Sequence, residues 1–244
     1  MWVMLFRLLL VTVISLGAAR QASAEWTFGG FFGGSWTRDT SLILTRPSSG
    51  TDVTLSPVHY DAESFHAPPY YGYRAALYPA SGWFGIEGEL IHLKVIADTQ
   101  RTATAEGTLE GAVPSGPLPV SSVVQRFSIT HGVNLLLVNA LFRHTLGASA
   151  GGPRWTLVGR AGAGRSIPHP ESTIAGRSYE AYEWGSFALQ GAGAVEIRVV
   201  RALYVSAEYK LTRTAQRVTI DGGTARTLLV THHLTSGLVL HLGS

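Results

Sequence analysis

Cysteine is absent from all 244 residues, which excludes disulfide staples and thiolate metal sites. Charge is scarce, with Asp, Glu, Lys and Arg together at 14%. Long apolar runs are missing beyond residue 24: the longest stretch, 133–142, is interrupted by Asn134 and Asn139, and a spanning helix needs about 20 apolar residues. A mature chain of this kind can cross a membrane only as a closed β-barrel, because backbone groups in lipid must satisfy one another. An excess of one charge sign is missing too. Of 19 basic residues, Arg7 and Arg20 fall in the leader described next, leaving 17 against 16 acidic ones. That balance gives no reason to expect a nucleic-acid partner.

What is present begins with Arg7, an apolar run over 8–16, and small residues ending in Ala22-Ser23-Ala24. This is the pattern of a secretory signal peptide with its cleavage site. The expected division is therefore a leader over 1–24 and a single β-barrel domain over 25–244.

Eight segments have strand composition and apolar alternation: 26–37, 65–78, 83–96, 133–146, 154–165, 184–198, 202–214 and 228–242. Connections alternate between long (38–64, 97–132, 166–183) and short (79–82, 147–153, 199–201), with 215–227 intermediate. Long loops on one side and tight turns on the other are the habit of an up-and-down outer-membrane barrel. The expected fold is all-β: an eight-stranded antiparallel transmembrane β-barrel in the cell outer membrane, following the signal peptide, and monomeric.

Side-chain parity sharpens this expectation, because neighbouring strand residues point to opposite faces. Phe84, Ile86 and Leu90 share one face while Glu87 and Glu89 share the other. Leu203, Val205, Ala207, Tyr209 and Leu211 oppose Tyr204, Ser206, Glu208 and Lys210. The same parity puts Arg74, Asn139, Arg143, Arg160, Gln190, Glu196, Arg198 and His233 inside. So polar an interior would be costly in a soluble sandwich but suits a membrane barrel, whose exterior meets lipid. Near-balanced charge predicts internal pairing and a plugged lumen. Trp26, Tyr78, Trp83, Trp155 and Tyr204 gather near the short turns, and Tyr71, Tyr73 and Trp184 toward the other end, as two aromatic girdles would.

Chemistry is less legible. The run Gly159-Arg-Ala-Gly162-Ala-Gly164 mimics a nucleotide-binding pattern but lies inside a strand with no following helix, so close packing accounts for it. Seven of nine histidines, His59, His66, His92, His131, His169, His232 and His233, sit in the long-loop half. Neutral imidazoles there suit a metal or general acid–base work, although polar loops carry histidine for no such reason. By parity His232 faces lipid if His233 faces inward.

Several stretches resemble the small outer-membrane β-barrel proteins of Gram-negative bacteria, and most nearly those identified as lipid A oxidases of rhizobia. They are Thr130-His131-Gly132-Val133-Asn134 leading into 135–141, Gly162-Ala163-Gly164 followed by Pro168-His169-Pro170-Glu171, Ala207-Glu208-Tyr209-Lys210, and Thr231-His232-His233-Leu234. The resemblance implies oxidation of the proximal glucosamine of lipid A to an aminogluconate by oxygen, with membrane lipid and lipopolysaccharide as partners. A barrel serving envelope stability or surface binding through its loops is the alternative, because one scaffold hosts many functions. Small lipid A deacylases of similar architecture use a His-x-Ser pair, but His233-Leu234-Thr235 places threonine in the serine position. The candidate catalytic set is His131, His169, Glu171 and His233, with a divalent metal at the extracellular rim as candidate cofactor. His233 joins the set only by reaching across the lumen mouth; if His131 and His169 pair while His233 only hydrogen-bonds inside the lumen, the histidines are those that polar loops carry for no catalytic reason.

Overall fold

A computed structural model describes residues 24–79, 82–149 and 152–243; the leader lies outside the described residues. In chain order the strands are β1 (Glu25–Thr37), β2 (Thr40–Arg46), β3 (Thr51–Val58), β4 (Tyr60–Asp61), β5 (Tyr71–Tyr78), β6 (Phe84–His92), β7 (Val95–Ala97), β8 (Thr102–Thr108), β9 (Pro117–Pro119), β10 (Arg126–Ile129), β11 (Leu135–Ser149), β12 (Gly152–Ser166), β13 (Glu171–Ile174), β14 (Arg177–Glu180), β15 (Phe187–Val200), β16 (Leu203–Ile220) and β17 (Gly223–Leu242).

Eight of them, in the order β1-β5-β6-β11-β12-β15-β16-β17, form an antiparallel sheet that closes where β1 pairs with β17, from Trp26 opposite Leu242 to Thr37 opposite Thr231. Closure removes the unpaired edges that lipid cannot satisfy. Inward residues of β16, such as Ser206, Glu208, Lys210 and Thr212, are buried, while Val205, Tyr209 and Leu211 are exposed. Large apolar side chains also lie exposed on the outer wall of β1, β6, β11 and β17, among them Phe32, Ile86, Val138 and Leu238. An apolar exterior around a charged interior is the inversion that defines a membrane-spanning barrel.

The lumen is filled. Glu208 accepts both guanidinium arms of Arg74, at 2.8 and 3.2 Å, and one from Arg160 at 2.6 Å. Arg160 reaches Glu87 at 3.2 Å and Glu196 at 3.7 Å, while Lys210 lies between Glu89 and Glu208. The Asn139 amide donates to Glu87 and Glu89, each at 2.9 Å. Phe31 offers its ring to both Arg74 and Lys210, 4.4 and 4.2 Å from its centroid. Arg143 pairs with Glu25 at the short-turn end. Each buried acid of the network therefore meets a cation, as an interior that excludes water requires.

Three expectations are corrected. The second barrel strand begins at Tyr71 rather than 65, and the third ends at His92. Residues 215–227 are no loop: β16 and β17 continue as one ladder to Ile220 opposite Gly223, turning through Asp221-Gly222. Tyr78 and Tyr204 are buried inside rather than placed in a girdle, because they share the parity of the lumen residues. Trp26, Trp83 and Trp155 remain exposed on the outer wall at that end.

The largest departure lies in the long connections, which hold nine further strands. The upper part of β17 pairs with β2, and the barrel sheet runs on through β3 and β8 to β9. A second sheet, β14-β13-β10-β7-β4, takes strands from all three long connections. Both sheets contribute to one apolar core that includes Leu42, Leu44, Val53, Leu55, Val95, Phe127, Ile129 and Ile174. The inward face of β16 changes character as it enters this cap: Glu208, Lys210 and Thr212 below give way to Val218 and Ile220 above. One strand face thus serves a polar lumen and then an ordinary hydrophobic core.

Candidate metal centre at the extracellular rim

The cap's second sheet positions the site. Strand β10 aligns with β13 so that Ser128 is opposite Glu171; Thr130 and His131 follow directly from β10, and His169 lies two residues before β13. The turn carrying His131 is tied down locally. Gly132 adopts φ 102°, a left-handed conformation that costs glycine least, and a Cβ there would collide with His92 Nδ1 and Asn134 Oδ1. Asn134 Oδ1 accepts from His92 Nδ1–H at 2.8 Å, and its amide donates to the carbonyl of Ile167 at 3.1 Å. The His169 backbone N–H reaches Gly132 O at 3.3 Å. These bonds clamp the two histidine-bearing segments together.

His131, His169 and Glu171 each place one ligating atom within 4.8 Å of the other two. The His131 and His169 rings meet edge to face at 4.7 Å, and Tyr182 covers His169 at 4.3 Å. Glu171 Oε1 takes the Thr130 hydroxyl and His131 Nδ1, the latter at 3.0 Å, while Arg126 pairs with Oε2. Burial alone would raise the Glu171 carboxyl, but the Thr130 hydroxyl, the Arg126 guanidinium and His131 hold it below the usual carboxylate range. With Nδ1 engaged by the carboxylate, His131 has its other ring nitrogen available for a ligand, an arrangement by which carboxylates orient metal-binding histidines. His131 is exposed and His169 half-buried, and His169 Nδ1 is a buried nitrogen with no partner. The donor set suits a borderline or first-row divalent ion.

His233 does not join this set. It is fully buried in the lumen, donating or accepting at 2.9 Å with Thr212 Oγ1, beside the Tyr70 ring at 5.6 Å. The expected set of four therefore does not form: His131 and His169 meet at the rim while His233 hydrogen-bonds inside the lumen, the outcome expected of histidines carried by polar loops, and what stays together at the rim is His131, His169 and Glu171. The other histidines do not converge either. His59 bonds Asp39 at 2.7 Å, His92 stacks on Tyr71 at 4.8 Å, and His232 stands on the outer wall between Trp36, Tyr209 and Arg38. Thr130, Arg126 and Tyr182 were missing from the sequence-derived set. The alternation Arg126, Ser128, Thr130 puts all three on one strand face, but only the pairing of β10 with β13 sets that face against Glu171.

Strand closure, inverted faces and a belt of exposed apolar residues make the chain an outer-membrane-type β-barrel carrying a β-cap on its extracellular side. No protein-family model and no curated protein matches the sequence. Among solved structures, the chain is similar to Ail, the attachment invasion locus protein of Yersinia pestis, at 10% identity and TM-score 0.33, covering 87% of this chain and 98% of Ail. It is similar to Neisserial surface protein A at 9% identity and TM-score 0.36, with 89% and 97% covered. A major outer membrane protein from Thermus thermophilus gives 8% identity and TM-score 0.44, with 90% and 99% covered. The barrel here is defined by its own pairing and faces, independently of these likenesses.

Proposed function

We propose that the protein is an outer-membrane enzyme that modifies lipid A, working through His131, His169 and Glu171 at the extracellular rim. The observation that carries this reading is the convergence of two imidazoles and a buried carboxylate on an exposed patch of the cap. A bound divalent ion would supply Lewis-acid or redox capacity there. Glu171 orients the His131 ring, Arg126 keeps the carboxylate anionic, and Tyr182 shields one side of His169 from water. The reaction implied by the sequence resemblance balances as follows: the lactol of the proximal glucosamine loses the hydrogen on its carbon and the one on its hydroxyl to oxygen, giving a lactone and hydrogen peroxide. Water then opens the lactone to the aminogluconate, a net gain of one oxygen atom.

A second reading, a non-catalytic barrel whose cap binds partners or stabilises the envelope, is favoured by one contact set. Glu171 already has donors from Thr130, His131 and Arg126, which is also how a purely structural tie between β10 and β13 would look. Mass spectrometry of lipid A from cells with and without the protein separates the two readings. The enzyme reading expects a species heavier by one oxygen, lost in His131→Ala and His169→Ala while both variants stay folded and heat-modifiable. Unchanged lipid A in the presence of the protein, or retained modification in both variants, overturns it.

A further inference from the structure

The outer wall of β16 is apolar from Leu203 through Val205, Ala207 and Tyr209 to Leu211. That is eight steps of about 3.3 Å, roughly 26 Å along the strand; at a tilt of about 40° it covers about 20 Å of height, most of a bilayer band about 25 Å tall. The next two outward positions of high polarity on the same face are Arg213 and Arg217. Arg226 on β17 stands directly opposite Arg217 in the ladder. All three are exposed, and none has a carboxylate within ion-pair distance among the described residues. Arg165, exposed at the outer end of β12, sits at the same height through Phe187 and Ala188, which faces Thr214.

Two like charges directly opposed on neighbouring strands destabilise a sheet, so the pair needs an anion from outside the chain. Glu183, which reaches β16 two residues beyond Arg217, is engaged by the Thr219 backbone N–H at 2.9 Å. Elsewhere on the long-loop side, exposed arginines have chain partners: Arg38 with His232, Arg101 with Asp98, Arg126 with Glu171, Arg177 with Asp221; Arg201, exposed in the short turn between β15 and β16, lies at the opposite end of the barrel. On the long-loop side, those without an ion pair among the described residues gather above the lipid belt. Beside them, where β2 peels away from β17, a groove is floored by Ile43, Ala215 and Leu228 and rimmed by Arg217 and Arg226.

We propose that Arg213, Arg217 and Arg226, with Arg165 at the margin, form a docking site for the phosphate monoester headgroup of a glycolipid in the outer leaflet, its first acyl carbons entering the Ile43–Leu228 groove. Guanidinium groups bind phosphate bidentately and keep their charge at every physiological pH, and the belt below supplies the apolar contact that a free anion would not use. The site needs the membrane assignment but not the catalytic one, so a protein that leaves lipid A chemically unchanged can still hold it here.

The test uses the full mature protein in nanodiscs of phosphatidylcholine doped with diphosphoryl lipid A, followed by delipidation and native mass spectrometry. Wild type is expected to retain lipid A, with retention falling as salt is raised. The triple variant Arg213→Gln/Arg217→Gln/Arg226→Gln is expected to retain at least about tenfold less, whereas Arg101→Gln, whose side chain pairs with Asp98 in the cap, retains it like wild type. Heat-modifiable migration of each variant reports the folded barrel. Inorganic phosphate is expected not to compete at concentrations matching the lipid. Equal retention by wild type and triple variant, or equal retention of phosphatidylglycerol and lipid A by wild type, overturns the proposal.

Discussion

Glu208 shows how much one side chain can hold. It contacts Arg74, Arg160 and Lys210 at once inside the lumen, so Glu208→Gln leaves three cations sharing fewer anions. Removing one partner of a buried ion network costs about 3–5 kcal/mol, and the variant is expected to lose its folded migration on unboiled gels at a distinctly lower temperature than wild type. Glu171 acts on the cap instead. Its pKa is lowered in the folded protein, so its contribution to stability is present above the ordinary glutamate value of about 4.3 and is lost as the pH falls through and below that value. Protease protection of the cap is therefore expected to be full at pH 6 and weaker toward pH 3. Glu171→Gln should show the weaker protection at both.

Elements differ in how plainly they announce themselves. The lumen residues of β6 and β16 were legible because alternation is sustained and the buried set is charged, a pattern few other folds tolerate. The cap was not legible, although Leu42 with Leu44 and Val53 with Leu55 alternate cleanly. Several of its strands are short, β4 having two residues and β7 and β9 three each, so no period can be read from those. Their order is also set by long-range pairing such as β17 with β2, which local pattern does not encode. For the same reason His131, His169 and Glu171 could be grouped by their place in the chain, but Arg126 and Thr130 could not be assigned to them. His233 was read as inward by its parity, and only the reach across the lumen mouth fails, because Thr212 holds its ring inside the barrel. The cap's core makes its own prediction: Leu44→Ala or Leu55→Ala, each fully buried, should destabilise the cap by about 2–5 kcal/mol. Limited proteolysis should then cut within β2 to β10 while heat-modifiable migration of the barrel persists.

On the scale of the whole molecule, a filled lumen and a closed wall fix what the protein can do in a membrane. Reconstituted into a planar bilayer, it is expected to give no steady ion conductance, since Arg160, Glu87, Glu208 and Lys210 occupy the path that water would need. Steady single-channel currents would contradict the plug. Fractionated cells should yield it with outer membranes and not with soluble periplasmic protein.

Strand β17 has a double duty with a consequence for biogenesis. Between Thr231 and Leu242 it seals the barrel against β1, and between Thr224 and Thr227 it starts the extracellular sheet against β2. A strand that follows the other sixteen in chain order is thus the template for a sheet whose further members, β2, β3, β8 and β9, come from the first half of the chain. Strand β2 must wait for this neighbour until the seam is made, so closing the barrel and starting the extracellular sheet become a single event, and an arrest at the seam would leave β2 as an open edge at the cell surface.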